Sequence, residues 1–81
     1  MVKYSVVIAV YNKEKYIGRT LQSVLDQSYT NIEIIVVNDG STDDSEKVIQ
    51  SFSDPRIHYY PQKNQGAGAA RNAAIQKATA P

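Results

Sequence analysis

The chain has 81 residues, of which 42% are hydrophobic, a formal net charge of +1 and no cysteine. This length suits one domain or part of one, and the hydrophobic content is that of an ordered globular chain. The small net charge argues against a nucleic-acid or membrane surface as an electrostatic partner, and the lack of cysteine excludes disulfides and zinc–thiolate sites. The apolar runs are too short for a membrane span or a signal peptide.

Three short apolar segments predict β-strands. Residues 4–10 and 32–37 are nearly continuous runs rich in β-branched side chains, which is typical of strands buried on both faces. Residues 57–60 form a more polar segment, which we expect at an edge of the sheet.

The segments between the strands have helical patterns. Apolar side chains at helical spacing define one face of the first helix. They are Ile17, Leu21, Val24 and Leu25. Asn12 or Glu14 is expected to cap the start of this helix.

Two further helices are predicted. The second is centred on residues 48–52, with Asp43 and Glu46 spaced as in a capping box and Asp54-Pro55 ending the helix. The third covers residues 68–78 and is rich in alanine, which suits close packing on a sheet.

The alternation of strands and helices predicts an α/β fold with a parallel sheet. In open parallel sheets, ligands bind beyond the carboxyl ends of the strands. Three loops are expected at those ends, namely residues 11–14, 38–42 and 61–68. The loop at residues 27–31 lies at the opposite end and is expected to be structural.

The first two of these loops carry candidate binding residues. The Tyr11 ring can stack on a flat base or, alternatively, cover the helix start and pack on the core. Asp39 ends the central strand, where its carboxylate can accept the N3–H of a uracil, and Gly40 permits a turn with positive φ. Asp43 and Asp44 are assigned to helix capping rather than to a metal site, because acidic side chains are common at helix starts.

A glycine-rich segment precedes the third helix. Gly66 and Gly68 let the backbone approach a ligand closely, and Arg71 can reach a phosphate or a base edge. An ordinary helix start with a surface arginine explains the same residues. No glycine lies within residues 9–16, which excludes a dinucleotide fingerprint, and no Gly-Lys-Ser/Thr phosphate loop is present. His58 has no obvious partner for a catalytic constellation.

Taken in order, five segments resemble the N-terminal part of family 2 glycosyltransferases. They are residues 5–12, 21–29, 33–43, 64–66 and 69–72. The resemblance implies an inverting enzyme that transfers a sugar from a UDP-sugar to an acceptor hydroxyl in polysaccharide or glycoconjugate synthesis. It also implies a three-layer α/β/α, Rossmann-like fold of the A type, with parallel strands in the order 3-2-1. Residues 1–81 would form the nucleotide-sugar-binding part of this nucleotide-diphospho-sugar transferase fold.

The resemblance assigns nucleotide contacts to seven positions. They are Ala9, Val10, Tyr11, Glu14, Asp39, Gly68 and Arg71. Tyr11 would flank the uracil beside the backbone of the two preceding residues, Asp39 would hydrogen-bond the base, and Arg71 would point toward the base or the diphosphate. Two positions depart from the family pattern, since Ala9 stands where proline is common and Asn38 where aspartate is frequent.

The same resemblance places the metal ligands, the catalytic base and the acceptor site after Pro81. A Mg²⁺ or Mn²⁺ ion held by an Asp-x-Asp motif is expected there in the full-length enzyme, so no catalytic or metal-binding residue is assigned within the chain. The 81-residue chain alone is therefore expected to be inactive as a transferase. The alternative is a catalytically inert folded fragment or a nucleotide-binding module.

The expected partners are the nucleotide-sugar donor and a glycan, lipid-linked or protein acceptor, without nucleic acid. The first strand is expected at a sheet edge, where it would invite self-association. The lack of cysteine fits a reducing, cytoplasmic location. The full-length protein would lie at the cytoplasmic face of the membrane if its remaining part carried an anchor.

Overall fold

A computed structural model describes residues 4–27 and 31–79. Its elements are β1 (Tyr4–Val10), α1 (Ile17–Leu25), β2 (Ile32–Asp39), α2 (Ser45–Gln50), β3 (Ile57–Gln62) and α3 (Ala67–Lys77). The three strands form one parallel sheet in the order β1-β2-β3, which is the predicted order 3-2-1 counted from the other edge. The predicted α/β fold class is therefore confirmed. None of the described helices is long and apolar enough to cross a membrane.

The central strand β2 organises the core. All eight of its residues are buried, because β1 and β3 pair with it on either side and helices cover both of its faces. Side chains of successive residues point to opposite faces of a strand. Ile34 accordingly packs in the cluster with α1 and α2, whereas Ile35 packs in the cluster with α3. The sheet thus lies between two helical layers.

Helix α1 covers the first face of the sheet with the apolar residues that the sequence predicts. Ile17 and Leu21 are buried, and Val24 and Leu25 are half-buried against the same cluster. The predicted capping of α1 by Asn12 or Glu14 is wrong. The helix begins after Tyr16 without a side-chain cap, and the side chain of Asn12 is engaged by the second loop instead.

Helix α3 packs on the opposite face through small side chains. Ala70 and Ala74 are fully buried against Ile35 and Val37 of β2. The helix begins and ends one residue earlier than predicted. Because alanine carries only a methyl group, the helix backbone comes close to the sheet at these two positions.

A buried glutamate holds the chain after α3 close to the sheet. Glu33 is 5% exposed, and its Oε2 accepts hydrogen bonds from the hydroxyl groups of Ser5 (2.5 Å) and Thr79 (2.8 Å) and from the Thr79 amide (2.5 Å). Buried polar groups are normally satisfied in this way. Glu33 therefore joins β1, β2 and the chain after α3 at the amino end of the sheet.

The start of α2 differs in part from the prediction. Asp43 accepts hydrogen bonds from the amide (3.0 Å) and the hydroxyl (2.6 Å) of Ser45, so its assignment to the helix start is confirmed. The carboxylate of Asp44 makes no capping hydrogen bond and lies 3.8 Å from Lys47 on the exposed face. The capping box is not formed, because the carboxylate of Glu46 accepts a hydrogen bond from the hydroxyl of Tyr59 on β3.

The connection from α2 to β3 also differs from the prediction. Helix α2 ends at Gln50, well before Asp54-Pro55, so the proline does not end it. Asp54 instead accepts hydrogen bonds from the side chain and the amide of Arg56, which hold the pKa of Asp54 at about 2. Strand β3 continues past Tyr60 to Gln62, because an edge strand tolerates Pro61, which lacks an amide proton.

Strand β1 lies at one edge of the sheet, as expected. Within residues 4–27 and 31–79, it pairs with β2 alone. Self-association through this edge stays a prediction. The loop at residues 27–31, predicted to be structural, falls largely outside the described residues.

Candidate functional site

A small cavity lies at the carboxyl end of the sheet. Its volume is about 110 Å³, and it lies between the ends of β1 and β2 and the first turn of α3. Its lining residues are Ala9, Val10, Tyr11, Lys13, Asp39, Ala67 and Ala70. The structure therefore brings together four of the seven predicted nucleotide-binding residues, which come from two separate strand ends.

Two larger cavities, each of about 440 Å³, lie elsewhere on the surface. One lies at the amino end of β1 and β2, beside Tyr4 and Ile32, and the other lies between α1 and the segment after α2, beside Leu25 and Phe52. Size alone would favour these cavities. In open parallel sheets, however, ligands bind beyond the carboxyl ends of the strands, and only the small cavity has that position among the three.

Asp39 is the acidic group in the wall of this cavity. It is 2% exposed, and its Oδ1 accepts hydrogen bonds from the side chain of Gln62 (2.9 Å) and the amide of Gln65 (2.8 Å). Its Oδ2 accepts one from the amide of Gly66 (3.0 Å). The Gln62 hydrogen bond, followed by that of Gln65, lowers the pKa of Asp39 from its ordinary value of 3.8, so the carboxylate is charged at neutral pH.

The Asp39 carboxylate keeps room for one more hydrogen bond. A carboxylate offers roughly four acceptor positions. Two donors reach Oδ1 and one reaches Oδ2, so one position on Oδ2 is not used by these protein groups. The site can therefore accept a hydrogen bond from a ligand N–H group.

Gly40 joins the second loop closely to the third. Its φ is +71°, as predicted for a tight turn, and a Cβ atom at this position would lie 2.7 Å from the backbone nitrogen of Asn64. The side chain of Asn64 donates a hydrogen bond to the carbonyl oxygen of Asp39 (3.0 Å). The position of the third loop thus depends on the absence of a side chain at residue 40.

Gly40→Ala is expected to lower the free energy of unfolding by roughly 2 kcal/mol, because it adds left-handed backbone strain to a steric conflict with Asn64. Urea unfolding measures this loss. Gly68→Ala is the matched control, since no atom beyond its chain neighbours and the adjacent helix backbone lies within 4 Å of its added Cβ, and alanine is the better helix former. Equal unfolding midpoints for the two variants would contradict the described turn.

Tyr11 lies at the cavity rim and is 47% exposed, so a ligand can reach it. The other three predicted residues do not line the cavity. Glu14 is exposed and uses its backbone amide to bind Asp43 (3.2 Å). Gly68 and Arg71 are exposed on the first turns of α3, and the side chain of Arg71 makes no hydrogen bond or ion pair within the described residues.

Three residues near the site were not found from the sequence. Lys13 lines the cavity, and Gln62 and Gln65 hold the carboxylate of Asp39. Gln62 pairs with Asp39 across the parallel register of β2 and β3. Extending the third predicted strand through Pro61 would have revealed this pair.

The chain residues do not form a metal site in the described ranges. No group of three or more histidine, aspartate or glutamate side chains that could hold a metal ion occurs in residues 4–27 and 31–79. Asp43 and Asp44 diverge, since the first binds Ser45 and the second faces Lys47.

Comparison with known proteins decides the family. Residues 5–81 match the model of "Glycosyl transferase family 2". The chain belongs to this family. It is 49% identical over 75 residues to glycosyltransferase GlyA of Streptococcus pneumoniae, covering 90% of the chain and 11% of that relative. It is 40% identical over 74 residues to chondroitin synthase of Escherichia coli, covering 89% and 11%, respectively.

One solved structure is similar to this chain in both fold and sequence. The crystal structure of TarS residues 1–349 from S. aureus in complex with UDP-GlcNAc superposes with a TM-score of 0.92 at 31% identity. The match covers 98% of this chain and 24% of that one. The chain thus spans between about a tenth and a quarter of the length of these three proteins.

Proposed function

We propose that the chain is the nucleotide-binding part of an enzyme that transfers a sugar from a UDP-sugar to an acceptor hydroxyl. The observation that carries this proposal is the charged Asp39 carboxylate, with one acceptor position unused, in a cavity that Tyr11 also lines. In this proposal, residues 1–81 are the N-terminal nucleotide-sugar-binding part of a glycosyltransferase domain.

Base recognition follows from the groups at the cavity. Uracil presents an N3–H donor, which matches the open acceptor position on Oδ2 of Asp39. Stacking of the base on the Tyr11 ring would contribute about 1–3 kcal/mol. The backbone of Ala9 and Val10 borders the same cavity, beside the base. Cytosine lacks the N3 hydrogen and would place a lone pair against the carboxylate, so the site should prefer uridine nucleotides.

The diphosphate is assigned to the first turn of α3. This helix has 11 residues, and Gly66 at its start provides no side-chain cap, so the first amides are available to an anion. The space around Gly68 lets a ligand approach the backbone. Arg71 and Lys13 supply positive charge from α3 and from the first loop, and Glu14 lies near the nucleoside in this proposal.

The transfer step belongs to the whole protein. The proposal includes a divalent cation, Mg²⁺ or Mn²⁺, which would offset charge on the departing diphosphate. It assigns that ion's ligands, the catalytic base and the glycan, lipid-linked or protein acceptor site to parts outside this chain. The UDP-GlcNAc complex of TarS supports a UDP-sugar donor, and the chondroitin synthase relative supports a role in polysaccharide synthesis. A cytoplasmic location is part of the same proposal.

Nitrogen-15 amide spectra recorded during UDP addition test the site. Signals of Tyr11, Asp39 and Gly68 are expected to shift. Tyr11→Ala should weaken UDP binding by about 5- to 150-fold, which corresponds to the loss of one base–aromatic stack. Tyr16→Ala is the control, because Tyr16 is also exposed but does not line the cavity. Unchanged signals at all three positions would contradict the proposed nucleotide site.

A further inference from the structure

We infer that Asn12 is a positioning residue that sets the direction of Tyr11 at the cavity, an inference that rests on the proposed uridine site. Asn12 has a φ of +52°, the one positive value at a non-glycine residue among those described. Left-handed backbone is strained for such residues, and asparagine tolerates it better than most. The residue that directly follows the proposed stacking ring therefore has a left-handed backbone conformation.

The side chain of Asn12 is the reason that this conformation persists. Its Oδ1 accepts hydrogen bonds from the amide (2.8 Å) and hydroxyl (3.3 Å) of Thr42 and from the amide of Asp43 (3.3 Å). Its own amide donates to the hydroxyl of Ser41 (3.0 Å). One side chain and its backbone thus bind three consecutive residues of the second loop.

Side chains near the second loop also bind the two residues that follow Asn12. The hydroxyl of Ser45 accepts a hydrogen bond from the amide of Lys13 (2.8 Å), and Oδ2 of Asp43 accepts one from the amide of Glu14 (3.2 Å). Burial opposes ionisation of Asp43, but hydrogen bonds from Ser45 and Glu14 outweigh it and lower the pKa of that carboxyl. Asp43 thus remains a charged acceptor at neutral pH. We call residues 12–14 and 41–45, joined in this way, the loop clasp.

The position of the loop clasp indicates what it does. Asn12 and Thr42 are exposed, so their hydrogen bonds do not complete the apolar core. The first segment of the loop clasp begins directly after Tyr11, and its second segment begins two residues after Asp39. The clasp thus joins the two loops that carry the proposed base contacts. Holding binding groups in place before the ligand arrives reduces the ordering that binding requires. Strain beside a ligand site is commonly maintained by surrounding contacts of this kind.

Two substitutions separate the effect of the Asn12 side-chain oxygen from the effect of the positive φ at this residue. Asn12→Gly keeps the positive φ but removes Oδ1, whereas Asn12→Asp keeps an acceptor oxygen. We expect Asn12→Gly to weaken UDP binding by about 3- to 10-fold, as for the loss of one pre-ordered side chain, and Asn12→Asp to recover most of that loss. Both affinities are measured by amide-shift titration, beside urea unfolding curves of the same proteins.

A measurement without ligand keeps this inference separate from the proposed function. Amide order parameters of residues 11–14 should be near 0.85 in the wild-type protein and fall below about 0.6 in Asn12→Gly. Unchanged order parameters in Asn12→Gly would overturn the inference, as would wild-type UDP affinity in that variant. If the wild-type protein binds no UDP, the proposed function fails, and the order parameters alone decide whether Asn12 positions Tyr11.

Discussion

Asp39→Asn is expected to weaken UDP binding by about tenfold or more and to remove the preference for uracil over cytosine. Gln62 and Gln65 both donate to Oδ1 of Asp39, so the amide oxygen of an asparagine would occupy that position. The amide nitrogen would then replace Oδ2 and present a donor to the cavity. A donor there opposes the N3–H of uracil but suits the N3 lone pair of cytosine.

Parallel titrations with UDP and CDP measure this change. The two nucleotides share the ribose and the diphosphate, so the ratio of their affinities reports on the base alone. The variant also leaves the amide of Gly66 without its acceptor, which loosens the third loop. This loosening weakens the binding of both nucleotides equally. A variant that loses affinity for both nucleotides by the same factor would show that Asp39 only anchors this loop.

Ile34→Ala is expected to lower the free energy of unfolding by about 2–5 kcal/mol. Ile34 has no exposed surface and packs in the cluster between the sheet and helices α1 and α2, so the truncation leaves a cavity that its neighbours fill poorly. A chain of this size has a total stability of roughly 4–12 kcal/mol. The variant should therefore unfold at a much lower urea concentration, and part of it should be unfolded in buffer.

Ile75→Ala makes the same chemical change on the outside of the molecule. Ile75 is 54% exposed on α3, and alanine is the better helix former, so the expected effect is within about 0.5 kcal/mol. Urea unfolding followed by circular dichroism compares the two variants. Similar losses for both would mean that Ile34 is not packed in the core as described.

Several features of the fold follow from local sequence patterns. The apolar run of β1 and the helical spacing in α1 identified these elements at their observed places, because each pattern arises from neighbours in the chain. The errors lie where long-range contacts act. Asn12 was predicted to cap the nearby α1, but the second loop offers it more donors. Strand β3 runs through Pro61, because β2 pairs with it as far as Gln62.

The sequence by itself determined the order of the elements, the family resemblance and which strand ends carry the proposed site. Those properties depend on periodicity and on residues close together in the chain. Only the tertiary structure decided what the polar side chains do. Asp39 binds residues 62, 65 and 66, Asn12 binds residues 42 and 43, and Glu33 binds Thr79. Such pairs leave no periodic signal, since a hydrogen bond between distant residues exists only after the sheet and helices have brought them together.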